Sequence, residues 1–113
     1  MESILTSIKK MLGIEEEYEH FDAELIMHIN SVFMILKQLG VGPAEGFRIQ
    51  DKESYWSDYI SDDDNLDAVK TFIAKKVQLI FDPPTQGSVM QAVNDLNSEL
   101  EWRLMLGAES KDS

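Results

Sequence analysis

The residues best suited to chemistry in this chain are its carboxylates. Glu15, Glu16 and Glu19 reproduce the E-E-x-x-E half of a helical Mg²⁺ site of the kind that hydrolyses nucleotides. Mg²⁺ needs several oxygen ligands at near-octahedral geometry, so a second pair, E-x-x-D, must face the first from the next helix. The next helical stretch offers only Ile, Met, His, Asn and Ser at its interior positions. Half a site leaves the ion under-coordinated, and a Mg²⁺-dependent hydrolase is a weak reading. Asp58, Asp62, Asp63 and Asp64 are dense enough to suggest a Ca²⁺ loop. The EF-hand pattern needs a glycine at its sixth position and a glutamate at its twelfth, and neither falls in place from any of these starts. Helix capping accounts for these aspartates more simply. His20 and His28 are the only histidines and cysteine is absent, so no zinc-site spacing exists. No serine stands in a nucleophile elbow, and no phosphate-cradling glycine loop is present. The sequence makes no positive case for an enzyme, a metal or a cofactor.

Composition bounds the remaining possibilities. The chain has 113 residues, 43% hydrophobic and 27% charged, which suits one small folded domain. Its formal charge of −11 opposes sequence-independent binding to duplex DNA and to anionic membranes, both of which need Lys and Arg. That charge permits plain solubility, a basic partner, or a surface that DNA slides past. The opening MESILTSIKKML lacks a basic region followed by a long apolar run, so it is not read as a signal peptide. No stretch has the roughly 18 apolar residues of a membrane span. A cytoplasmic setting is expected.

The elements follow from apolar spacing. Ser3 to Leu12 reads as a short helix stopped by Gly13, with Lys9 and Lys10 in its C-terminal half. Ile14 to Phe21 is a connector in which Ile14, Tyr18 and Phe21 could share a face toward the core. Asp22 to Gly40 reads as the central helix, with Asp22 as N-cap and Gly40 as its end. Leu25, Ile29, Val32, Leu36 and Leu39 make its stripe, and Ile26, Phe33 and Met34 widen it, so it must be covered from more than one side. Gly42, Pro43 and Gly46 open a long loop. Within that loop Phe47 to Ile49 could be extended, and Ser54 could cap one turn. An aspartate among Asp62, Asp63 and Asp64 should cap a helix running to Phe81, which Pro83 and Pro84 end. The last helix spans about Val89 to Leu106, with Val89, Val93, Leu96, Leu100 and Leu104 as its stripe and Gly107 as its close. The expected fold is all-α: a small bundle of four main helices, with a long loop and one extra turn between the second and third. Residues 1–107 form the domain and 108–113 a flexible polar tail.

The clearest excess over a generic bundle is aromatic and apolar. Tyr55, Trp56 and Tyr59 crowd into a loop, Phe81 precedes a double proline, and Trp102 lies off the last helix's stripe beside Arg103 and Leu106. These seven residues are the candidate interface for another subunit or partner, since Tyr, Trp and Arg are enriched there. For the loop aromatics Tyr55, Trp56 and Tyr59 the first reading is that they close the chain's own core under a long connection, and the partner surface is the functional alternative.

Three segments in combination carry a family resemblance. F-D-x-x-L-I-x-H-I-N begins at Phe21, the exit Q-L-G-V-G-P follows at Gln38, and L-x-F-D-P-P begins at Leu79. With ELEWRL near the end, the chain from about Ile4 to Leu106 resembles the head–tail connector (adaptor) proteins of long-tailed bacteriophages and prophages. The resemblance implies a virion structural protein that forms a ring, twelve-fold in the virion, docked under the portal protein. Such a ring extends the DNA channel and supports a downstream stopper or tail-completion protein, while genomic DNA passes without specific binding. It implies assembly in the host cytoplasm and residence at the virion head–tail interface. Twelve copies at −11 each would carry about −132 formal charges, a sign that repels phosphate. The alternative from a different class is a small acidic DNA mimic that blocks a basic nucleic-acid-binding protein.

Overall fold

The computed structural model describes residues 2–60 and 66–112, with side chains as far as Ala108. Five helices follow in order: α1 (Ile4–Met11), α2 (Asp22–Gln38), α3 (Trp56–Tyr59), α4 (Leu66–Phe81) and α5 (Gly87–Asp112). No strand forms among the described residues; a single antiparallel bridge joins Ser3 to Tyr55. The fold is therefore the expected all-α bundle of four main helices with one extra turn, α3, in the long loop. The expected caps Asp62, Asp63 and Asp64 lie outside the described residues.

Local chemistry sets the helix ends. Ser3 Oγ accepts from the Thr6 backbone N–H at 3.2 Å and starts α1. α1 and α2 stop by the same device. The Ile14 N–H reaches back to the Lys9 carbonyl at 2.8 Å, and the Val41 N–H to the Leu36 carbonyl at 2.9 Å. Each wraps around a glycine in the left-handed region, Gly13 at φ 79° and Gly40 at φ 84°. α3 is held by Asp58, whose carboxylate accepts from the Tyr55 N–H at 3.0 Å; Ser54 is not its cap.

α4, rather than α2, is the enclosed element. It packs against α1, α2 and α5, while α2 packs against only α1 and α4 to comparable extent. Phe72, Ile73 and Ala74 are all buried. Three consecutive helix positions spread over more than half the circumference, so only a helix with neighbours on several sides buries them together. The molecule measures 43 × 36 × 19 Å, about two helices thick. The core joins Ile4, Leu5 and Ile8 of α1 to Leu25, Ile29, Val32, Phe33 and Leu36 of α2 and to the inner face of α4.

Two expectations for α5 change. The helix continues through Gly107 to Asp112 instead of closing at Gly107. A Cβ placed on Gly40 would stand 3.3 Å from Ala108 Cβ, so the α5 backbone past Gly107 passes close to the end of α2. Contact of that kind offsets the roughly 1 kcal/mol that a glycine costs inside a helix. Its inward line is also turned. Val93, Asn97 and Leu104 are buried, while Val89 and Leu96 are exposed. Asn97 takes the inner place that the sequence reading had given to Leu96.

Candidate functional site

The seven candidate interface residues separate into three places. Trp56, 3% exposed, and Tyr59 are in the core. This corrects their assignment to a partner surface. Trp56 Nε1 donates to Ser7 Oγ at 3.0 Å, and the Ser7 hydroxyl in turn donates to the Glu2 carboxylate. That hydrogen bond, with Lys70 at 3.3 Å, holds the Glu2 carboxyl below its usual range. The Lys70 ammonium also lies 5.5 Å from the Trp56 ring centre. The Tyr59 ring meets Phe33 at 4.7 Å and Phe47 at 5.2 Å between centroids. Its hydroxyl is buried without a hydrogen-bond partner, and burial raises its pKa well above the ordinary value of 10.0. Tyr55 is half-buried where the loop bridges to Ser3. The loop aromatics thus clasp the N-terminus to the bundle.

Phe81 occupies a second place, the end of α4. It packs edge-on against Phe21 at 5.0 Å, and Phe21 meets Tyr18 at 5.7 Å and His20 at 4.9 Å. Ile14 and Phe21 turn toward the core, whereas Tyr18 and Ile80 are exposed. Glu15, Glu17, Glu19 and Asp82 around them are exposed too, so this patch is apolar with an acidic rim.

Trp102, Arg103 and Leu106 make the third place, the outer side of α5. Trp102 is 55% exposed, and Leu106 lies one turn beyond it. Both stand on the side away from Val93, Leu100 and Leu104, which meet the bundle. Asp95 and Glu99 precede Trp102 on the same side, by seven and three residues. Arg103 Nη2 contacts Glu99 Oε1 at 2.9 Å, an exposed pair of small energy.

A fourth surface escaped the sequence reading. Met27 and Met34, one heptad apart on α2, are 60% and 58% exposed and point away from the buried stripe. They line a groove of about 720 Å³ between α2 and the loop at Gly46, Phe47 and Arg48. Lys37, Glu45 and Arg48 are its charged residues, and neither cation forms an ion pair among the described residues. The groove's far wall is fixed by Asn30. Its amide donates to the Ile49 carbonyl at 3.0 Å and accepts from the Ile49 N–H at 2.8 Å, completing one residue's backbone as a strand partner would. An asparagine inside an apolar helix was the available signal, since Asn is a poor helix former.

Lys9 was missed for a different reason. It is 2% exposed. Its ammonium donates to the carbonyls of Glu16 at 2.9 Å and Tyr18 at 2.6 Å and sits 2.9 Å from Asp22 Oδ1. Asp22 is therefore the first residue of α2 and an ion-pair partner, not an N-cap; the cap position belongs to Phe21. Lys9 lies four residues after Leu5 and three before Leu12, inside the apolar stripe, and that spacing marked it as inward-facing. The acidic run around it surrounds carbonyls that satisfy a lysine. No group of three or more His, Asp or Glu among the described residues could hold a metal ion. His28 Nε2 is 3.7 Å from Glu24 on the same helix.

The chain is a thin all-α slab that buries a core and still opens apolar side chains on α2, α5 and the α4 end, the kind of surface that marks interaction sites. The chain belongs to the phage connector protein family, whose model matches residues 4–111. Its general role is thus that of a phage head–tail connector, and this favours a connector over a DNA mimic. No curated protein and no solved structure matches the chain. None of the helices among the described residues is long and apolar enough to cross a membrane.

Proposed function

We propose that this protein is the subunit of a connector ring, twelve-fold in the virion, that docks under the portal, continues the DNA channel and carries a stopper or tail-completion protein. It acts as a structural part, without catalysis, and assembles in the host cytoplasm before residing at the head–tail interface. The observation that carries this reading is the pair of open apolar faces, Met27 with Met34 and Trp102 with Leu106, on a chain whose core is already closed. A contact between two unlike surfaces propagates around an axis and closes when the rotation allows it. The −11 charge per copy gives such a ring a field that repels phosphate, so DNA passes without being held.

Residues 1–107 serve as the connector domain, and the segment 108–113 serves as the portal contact. The test is mass determination by sedimentation, with and without portal protein. A ring-sized species, formed alone or on the portal, is expected. A chain that stays solitary at every concentration, portal included, overturns the proposal. Deleting the segment after Leu106 should weaken portal binding; undiminished binding removes the tail from that contact.

A further inference from the structure

The open faces of α2 and α5 differ in sign, and that difference selects how copies meet. The α2 groove is lined by two cations, Lys37 and Arg48, against one carboxylate, Glu45. On a chain with 21 acidic and 10 basic residues, a net positive lining is the exception. The outer side of α5 presents Trp102 and Leu106 with Asp95 and Glu99 against one cation, Arg103, a net negative rim. The third open patch, around Tyr18 and Phe81, is rimmed by glutamates and Asp82, so it repels α5.

We propose that the outer face of α5 of one copy lies in the α2 groove of the next, with Trp102 and Leu106 against Met27 and Met34 and the acidic rim toward Lys37 and Arg48. The mode is a helix laid in an apolar groove, anchored by residues one turn apart. Methionine suits the receiving wall, because its unbranched thioether adapts to an aromatic ring and attracts it. The Asn30 clamp on Ile49 keeps the loop wall in place before the partner arrives. A chain cannot place its own α5 there. Met27 and Met34 point away from the stripe that meets α4, and Trp102 points away from the side of α5 that meets α4, so the two open faces of one chain are turned away from each other. The contact is therefore between copies and heterologous, as a ring requires.

This inference rests on the ring reading and names its surfaces, so the experiment separates the two. The protein has no cysteine, which makes introduced thiols unique. Met34→Cys and Leu106→Cys are both at exposed positions and should leave the thermal midpoint unchanged. The two single variants are mixed with portal protein under mild oxidation and resolved without reductant. Covalent dimers should dominate the mixture and be scarce with either variant alone, and the double variant should give a ladder. Three outcomes overturn the contact: rings that form by mass without cross-links, dimers as abundant with either variant alone, and full-size rings from Met34→Asp. All of these leave the ring standing. A chain that never assembles, portal included, ends the ring reading and this contact with it.

Discussion

The two tryptophans divide the molecule. Trp56 is reached through a loop and ends in the core, bonded to Ser7 across 49 residues of sequence. Trp102 stands on a long regular helix and ends in solvent. Its place off the α5 stripe leaves Trp102 open, as its spacing suggested, whereas Trp56, also a candidate interface residue, is buried. A loop aromatic is buried when its neighbours supply backbone pairing. Here Ile4 N–H donates to the Ser54 carbonyl at 3.0 Å, and Trp56 N–H donates to the Glu2 carbonyl at 3.2 Å. A helix aromatic stays open when the helix has a partner on one side only, as α5 does with α4. The Trp56 region finishes the fold, and the Trp102 region is left open to solvent.

Truncating each tryptophan gives the largest contrast. Trp56→Ala should cost about 3–5 kcal/mol of stability, the usual range for a large buried aromatic. Trp102→Ala should change stability by less than about 0.5 kcal/mol and should reduce assembly. Denaturant midpoints measure the first, and sedimentation with portal the second. Equal losses of stability would erase the distinction between the two regions.

Lys9 tests the closed region at its most polar point. Lys9→Met leaves two carbonyls and the Asp22 carboxylate without their cation. The expected cost is about 2–3 kcal/mol, below the roughly 3–5 of a fully enclosed pair, because Asp22 keeps 27% exposure. Adding Asp22→Asn should recover part of that loss, and a double-mutant cycle on the denaturant midpoint measures the coupling.

Asn97 tests the edge region from its inner side. It is 2% exposed, and neither atom of its amide has a hydrogen-bond partner among the described residues. A buried amide left unpaired costs about 1–3 kcal/mol. Asn97→Leu should therefore stabilise the protein, by about 1 kcal/mol after the imperfect fit of a new side chain. Assembly should be unchanged, since the residue faces the bundle. A lower midpoint would mean that a bound water satisfies this amide.

The helices, their order and most of their ends were legible because each depends on neighbours in sequence. Ser3, Gly13, Gly40 and the Pro83–Pro84 pair act within one turn of their own position. What depends on distant partners was not. The central place of α4 follows from which faces meet, and three stripes of similar strength do not rank themselves. The end of α5 was misread because Gly107 is a stop signal unless something supports the next residue, and here that support comes from Gly40, 67 positions earlier. The site was legible in part: Trp102 and Leu106 emerge exposed, Trp56 and Tyr59 do not. The α2 groove stayed hidden because Met34 looked like part of a buried stripe, and its outward direction is set by where α4 docks.

Tyr59 supplies the smallest effect at neutral pH and a distinct signature at high pH. Its hydroxyl is buried and unpartnered, so Tyr59→Phe removes an unpaired polar group and leaves the ring between Phe33 and Phe47. Stability near pH 7 should be unchanged or slightly higher. Above pH 10 the two proteins should part. In the unfolded chain the tyrosine ionises from its ordinary value of 10.0, while in the fold burial keeps it protonated. The unfolded state then holds fewer protons than the native one, so stability falls as pH rises, by up to about 1.4 kcal/mol per pH unit from this group. Unfolding titrations from pH 9 to 11.5 should show a steeper decline for the parent than for Tyr59→Phe. If Tyr59→Phe declines as steeply as the parent, burial of Tyr59 is not what sets the alkaline limit.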